Sequence, residues 1–315
     1  MTDRKKTIIG ASAISFAAIL WGLDGTILTP RLHGIDITIV VFIFHFLPFL
    51  IMNLFFFKEY KKIKTFSKSD LFFLLLLSLF GGAIGTMSIV KALFLVGFKK
   101  LTIVVLLQKL QPIFGIFLAH YLLKEQIGKQ YVLWASIAII AGYFLTFGGK
   151  TPIIGSDTTT IQAALYAVLA AFSFGSSTVF GKKVLQNHDF YTVTFFRYGT
   201  TSLIMFLFVL SSSTLSQLQY INSYQWIIFF IIAFTTGSGA VFIYYYGLRK
   251  VKAIVSTICE LLFPLSAIVF DYIFNDYRLS LFQWCCALIM LASIIQLNRK
   301  GTKQFKKWRR TRLIR

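Results

Sequence analysis

Charged residues are scarce in this 315-residue chain, at 14% against about 25% for a soluble domain, and only 11 residues are acidic. That scarcity excludes an ordinary water-soluble fold, since no soluble core could hide 35 phenylalanines and the Leu/Ile runs around them. Cysteine is rare too. Cys259, Cys285 and Cys286 sit in apolar segments without metal or redox spacing, and read as small buried hydrophobes. The four histidines, His33, His45, His120 and His188, are scattered and form no HExxH pair. No Walker-type phosphate loop is present, which argues against direct ATP drive. Neither a metal nor a cofactor is expected.

Long apolar runs fill the space that charge leaves. Hydrophobic residues make up 57% of the chain and the mean hydropathy is +0.75. A spanning helix needs about 20 mostly apolar residues. Windows of that kind recur at 7–28, 36–57, 71–96, 101–123, 131–147, 161–181, 190–210, 225–247, 253–274 and 280–297. The fold class expected is an all-α integral membrane protein of ten transmembrane helices. Arg4–Lys6 before an apolar run resembles a signal peptide, but the run continues through Trp21 to Leu28 with no small-residue cleavage site, so it reads as the first span.

A formal charge of +21 would suit a nucleic-acid binder, yet the placement of the charges argues for a membrane instead. With the N-terminus in the cytoplasm and the connections alternating, 24 of the 32 Lys and Arg fall on the cytoplasmic side. Arg31, Lys99, Lys100, Lys150 and Arg278 fall opposite, and Lys91, Lys109 and Arg197 lie within spans. This positive-inside bias puts both termini in the cytoplasm, as an even number of spans requires. The basic tail, 299–315, is expected to lie on anionic lipid. No nucleic-acid partner is expected.

The two halves align at a shift close to 152 residues. Trp21-Gly22 matches Phe174-Gly175, Phe44-His45-Phe46 matches Phe196-Arg197-Tyr198, and Leu50-Ile51-Met52 matches Leu203-Ile204-Met205. Gly81, Gly82 and Gly85 match the Gly237–Gly239 region with a small slip, and Leu110-Gln111-Pro112 matches Leu262-Phe263-Pro264. Five matches in one order predict two five-helix repeats, 1–150 and 151–298. An odd number of spans inverts the second against the first, an arrangement of secondary transporters, whose sites lie between the repeats.

These residues also resemble a known family. Trp21-Gly22 near the end of span one, Phe196-Arg197-Tyr198 opening span seven, and Pro112 followed by Leu122-Leu123-Lys124-Glu125 look like the EamA type of the drug/metabolite transporter superfamily. The resemblance covers about residues 7–297. It implies a central cavity formed by spans one to four and six to nine, with five and ten at the periphery. It also implies export or exchange of small metabolites, often amino acids, by alternating access. One departure is His45, where the pattern usually has arginine; the second half keeps Arg197.

Polar residues inside the spans are the candidate site, because a charge at mid-bilayer costs about 2.5–3.5 kcal/mol on insertion scales. Position along the spans predicts an outer cluster of Asp24, His45, Lys91 and Lys109, and an inner one of Arg197 with Glu260. Lys109 beside Gln108 is the expected anchor for a carboxylate or phosphate; Asp24, Lys91, His45, Trp21 and Tyr245 complete the expected substrate site. Glu260 with Arg197 is the candidate for proton coupling or gating, and a purely structural pair is the competing reading. Pro112 and Pro264 are expected to kink their helices and leave the carbonyls of Gln108 and Glu260 free. Asp271 is expected to be solvated, and His120 has no evident partner. The glycines read first as close-packing positions.

The function expected is a secondary carrier moving a small metabolite, an amino acid or related compound, with the outward direction implied by the family resemblance. Two alternatives compete: a non-transporting membrane scaffold or sensor with the basic tail as its output, and an intramembrane enzyme built on Ser88 or Ser256. Midspan charge weighs against the first, and the lack of a metal or nucleophile constellation against the second.

Overall fold

A computed structural model describes residues 3–97, 104, 107–147, 158–274 and 279–312, with side chains described as far as Leu297. Lys99, Lys100, Lys150, Arg278, the start of the span expected at 101–123, most of the 148–160 connection and the side chains of the basic tail lie outside the described residues. Among the described residues there are helices and no strands.

Helix α1 covers Asp3–Leu23 and passes into a wide π turn, Asp24–Leu28, and a 3₁₀ turn, Thr29–Leu32. α2 is Ile37–Phe56, with Pro48 inside it. α3, Lys68–Leu76, runs through a second π segment, Leu77–Ile84, into α4, Gly85–Leu95. α5 is Gln111–Leu123 and α6 Lys129–Phe147. In the second half, α7 is Thr158–Val184 and α8 Phe190–Ser211. α9, Ser223–Ile232, runs through a third π segment, Ala233–Gly237, into α10, Ser238–Leu248. α11, Ala253–Cys259, and α12, Leu262–Phe274, form one broken span. α13, Leu281–Arg312, carries its helix on through the expected tail as far as Arg312.

Among the described residues, seven helical stretches are long and apolar enough to cross a bilayer, and three further apolar helices, Gln111–Leu123, Lys129–Leu145 and Leu281–Leu297, are shorter. Their outward faces are apolar: Leu54, Phe55, Phe117, Leu165, Leu203 and Leu288 are all well exposed. Water would not tolerate that surface, and lipid does. Cys285 belongs to this outer face, which corrects the expectation of burial for all three cysteines; Cys259 and Cys286 are buried.

The halves echo one another in local chemistry. α3 and α9 each begin with a reciprocal capping box, Ser67 with Asp70 and Asn222 with Gln225, which satisfies the first free N–H groups of the helix. Both then widen into a π segment about ten residues on. Packing follows the same exchange. α1 lies against α10 and α12, while α7 lies against α4 and α5; α2 pairs with α8, and α6 with α13. Swapping the halves leaves this set of neighbours unchanged.

Close approach between the halves depends on missing side chains. A Cβ on Gly22 would lie 2.0 Å from Ser266 Oγ and 2.8 Å from the Ala267 nitrogen on α12. A Cβ on Gly175 would lie 2.6 Å from the Gln111 carbonyl on α5. These two glycines are counterparts in the repeat, and each seats its helix on backbone that cannot yield. At the far end of α5, Lys124 takes a left-handed conformation (φ 53°) and turns Glu125 toward α11, where it accepts from the N–H groups of Ala253 (2.9 Å) and Ile254 (3.1 Å). Burial pushes the Glu125 carboxyl above its ordinary pKa, against these hydrogen bonds. His120, expected to lack a partner, hydrogen-bonds the Glu125 carbonyl at 3.0 Å.

Gly175→Val is expected to wedge α7 from α5 and to destabilise the protein by about 1–3 kcal/mol, the usual range for overpacking. Thermal unfolding in detergent checks this, and an unchanged midpoint would contradict the packing described.

Candidate functional site

The three π segments and the breaks near Pro112 and Pro264 face a single cavity of about 230 Å³ between the halves. A π turn inserts an extra residue into the hydrogen-bond ladder and re-aims the side chains around it; such turns recur at functional sites. Here they contribute Asp24 and Gly25, then Gly81, then Thr236 and Gly237 to the wall. Trp21, Phe44, Phe174, Tyr198, Tyr244 and Tyr245 give the cavity its aromatic surface. Gln108, Gln111, His45, Thr178, Arg197 and Glu260 give it polar groups.

Glu260 sits in the break between α11 and α12 and is buried at 8% exposure. Its carboxylate is held on both oxygens. Oε1 accepts from Tyr244 at 2.8 Å, Ser256 at 2.9 Å and Thr178 at 3.3 Å, while Gln111 of the first half donates to Oε2. Thr178 and Tyr244 are themselves 2.9 Å apart. A carboxylate with four donors is charge-compensated by hydrogen bonds rather than by a counter-ion. The break itself is locally closed: the Glu260 carbonyl accepts from the Phe263 N–H at 3.0 Å, so it is not the free acceptor expected from Pro264. α5 starts at Gln111 with Pro112 in its first turn, where a missing N–H costs nothing.

Arg197 reaches across the halves, donating from Nη2 to the Gly81 carbonyl at 2.9 Å. Its guanidinium carbon stands 5.4 Å from the centroid of the Tyr245 ring, within cation–π range. The expected Arg197–Glu260 pair therefore does not form; each has its own partners on one shared cavity wall. His45 hydrogen-bonds the Val41 carbonyl at 2.9 Å, and its ring lies 5.4 Å from that of Tyr198. Asp24 has the hydroxyls of Thr29 and Thr236 beside it. Asp24 Oδ1, Thr236 Oγ1 and Arg197 Nε have no protein hydrogen-bond partner of ordinary geometry, and all three residues line the cavity.

The structure thus gathers Trp21, Asp24, His45, Gln108, Arg197, Tyr245 and Glu260 around one space, where two separate clusters were expected. Lys109 and Lys91 are not in that wall. Lys109 turns its ammonium to the Gly142 carbonyl on α6 and borders a much smaller hollow of about 10 Å³ with Pro112 and Pro264. Sequence reasoning missed Gln111, Thr178, Tyr244 and Thr236 as site residues, and named Ser256 only as a nucleophile in the competing enzyme reading. Gln111 stood beside a recognised proline. The others are neutral residues among many, and only the fold singles them out.

The chain matches the EamA-like transporter family over residues 8–148 and 161–299, and it belongs to that family. Over 293 residues, 93% of this chain and 98% of the relative, it is 50% identical to a protein of Fusobacterium nucleatum subsp. nucleatum named riboflavin transporter ImpX. A crystal structure at 13% identity, aligned over 93% of this chain and 96% of that one, shares its fold with a TM-score of 0.62. The chain is accordingly a multi-pass membrane transporter, and its family and relative are transporters rather than enzymes.

Tyr244→Phe removes one donor from Glu260 and is expected to cost about 1.5–3 kcal/mol, the range for a hydrogen bond to a charged group. Lys91→Ala, off the cavity wall, is expected to leave stability within about 0.5 kcal/mol. Paired thermal melts of the two variants check the difference.

Proposed function

We propose that this transporter carries riboflavin, or a flavin with the same ring system, across the cytoplasmic membrane by alternating access between two inverted five-helix repeats, 1–150 and 151–298. The observation that carries the substrate is the cavity wall: aromatic faces from both halves with polar donors and acceptors between them. A flavin is a flat, uncharged, three-ring heterocycle with a polar edge and a hydroxylated side chain, and such a wall suits it. The relative named as a riboflavin transporter, alike over nearly its whole length, supports the same substrate. About 230 Å³ is below the ~300–1,000 Å³ usual for ligand pockets, so the helices must part somewhat to admit three rings.

An amino acid, the substrate expected from the sequence, fits less well. Its carboxylate needs a cation, and the wall offers one, Arg197, which also serves the Gly81 carbonyl, while Lys109 turns to Gly142 instead. The ten-span arrangement with both termini cytoplasmic is retained, on the positive-inside distribution of Lys and Arg. A carrier without its own energy source runs either way, so the gradient and any coupled solute decide between export and uptake.

Riboflavin is expected to bind the purified protein saturably, with quenching of flavin fluorescence, and to exchange across proteoliposomes. Trp21→Ala is expected to weaken binding about tenfold, in the range for loss of one aromatic stacking partner. The 5′-phosphate of riboflavin would bring about −1.5 to −2 charges to a wall holding two carboxylates and one guanidinium, so it is expected to bind at least about 100-fold more weakly. Folded, inserted protein that moves amino acids and not riboflavin would contradict the proposal.

A further inference from the structure

The cavity wall contains polar atoms that the protein itself leaves unmet. Of the buried side-chain atoms without a hydrogen bond, Asp24 Oδ1, Thr236 Oγ1 and Arg197 Nε belong to residues that line this one space. Native proteins leave few such atoms, and each calls for an explanation. Three on one cavity wall must find their partners in the cavity, in water or in a solute that displaces it.

Asp24 and Thr236 are neighbours from opposite halves, each on a π segment that turns its side chain toward the cavity. Thr236 is 1% exposed, so its hydroxyl has no bulk water to fall back on. A carboxylate only accepts, and a hydroxyl beside it is free to donate. Side by side they complement an N–H next to a carbonyl, the edge of a cyclic amide or imide. A flavin carries one such edge, a ring N–H flanked by two carbonyls at the far end of the ring system from the dimethyl groups.

We propose that Asp24 and Thr236 read the imide edge of the flavin ring, Asp24 accepting from the ring N–H and Thr236 donating to an adjoining carbonyl. This rests on the flavin reading above. It makes Asp24 a specificity-determining residue. It also orients the ring system, with its imide end at the meeting of the α1 and α9–α10 π segments.

The test compares riboflavin with 3-methylriboflavin, whose ring nitrogen carries a methyl in place of hydrogen, by equilibrium binding to wild type, Asp24→Ala and Thr236→Val. Wild type is expected to bind riboflavin at least about 30-fold more tightly than the methylated form. Asp24→Ala is expected to bind riboflavin at least about tenfold more weakly and to lose most of the discrimination. Thr236→Val, nearly isosteric, is expected to weaken riboflavin several-fold and keep the discrimination. Equal binding of both flavins by wild type, or full discrimination by folded Asp24→Ala, would overturn the inference while leaving flavin transport standing. Should Asp24→Ala fail to fold, the wild-type comparison and Thr236→Val decide. Uridine, with the same edge and no tricycle, separates the sources: competition as strong as that of riboflavin would keep the edge and overturn the flavin. No riboflavin binding at all by folded wild type would overturn both.

Discussion

Hydrocarbon offers no hydrogen bonds, so backbone polar groups at membrane depth must be satisfied within the protein. That constraint organises this molecule. The irregular backbone within its apolar stretches, at 24–28, 77–84, 233–237 and the breaks before Pro112 and Pro264, is turned inward to the junction of the halves. There side chains supply what a regular helix would have supplied for itself. Arg197 serves the Gly81 carbonyl and Thr201 serves the Ser78 carbonyl at 3.2 Å, while Thr26, on the first π segment, ties across to the Ala267 carbonyl of α12 at 3.3 Å. The same departures that widen the helices open the cavity and aim Asp24 and Thr236 into it. Fold and site are one structure here.

A transporter must also keep its charges from binding each other too well. Opposed ion pairs at low dielectric are hard to separate, and a carrier whose halves move would have to break them in every cycle. Glu260 and Arg197 avoid this by taking neutral partners. Their ties run between halves as well as within them: Gln111 to Glu260, and Arg197 to Gly81. Such hydrogen bonds can be exchanged for others at modest net cost, which suits elements that rearrange.

Much of this was legible in the sequence, because lipid makes a strong demand on composition. Most apolar runs fell on helices, though the described helix within 101–123 begins at Gln111 and the last helix runs on to Arg312, and the shift near 152 residues paired Trp21-Gly22 with Phe174-Gly175, which seat equivalent helices. Midspan polarity pointed to Asp24, His45, Arg197 and Glu260, all on the cavity wall. What stayed hidden depends on direction rather than on presence. A lysine at 109 looks the same in sequence whether it faces the cavity or, as here, the Gly142 carbonyl. The π segments have no hydropathy signature, so the meeting of Asp24 with Thr236 had no trace in residue spacing. Nor could composition distinguish Tyr244, bound to Glu260, from Tyr246, whose ring lies 3.2 Å from the Lys250 ammonium. Nor does residue type name the substrate: balanced midspan charge suggested a zwitterion, while the folded wall sets aromatic rings beside Asp24, Arg197 and Glu260.

The most direct test of the account is a structure of the protein determined with riboflavin bound. The account predicts density for the ring system in the cavity between the halves, against Trp21 and Tyr244, with the imide edge at Asp24 and Thr236. Density on the lipid-facing surface, in the small hollow beside Lys109, or in the cavity with the edge turned away from Asp24 would contradict it.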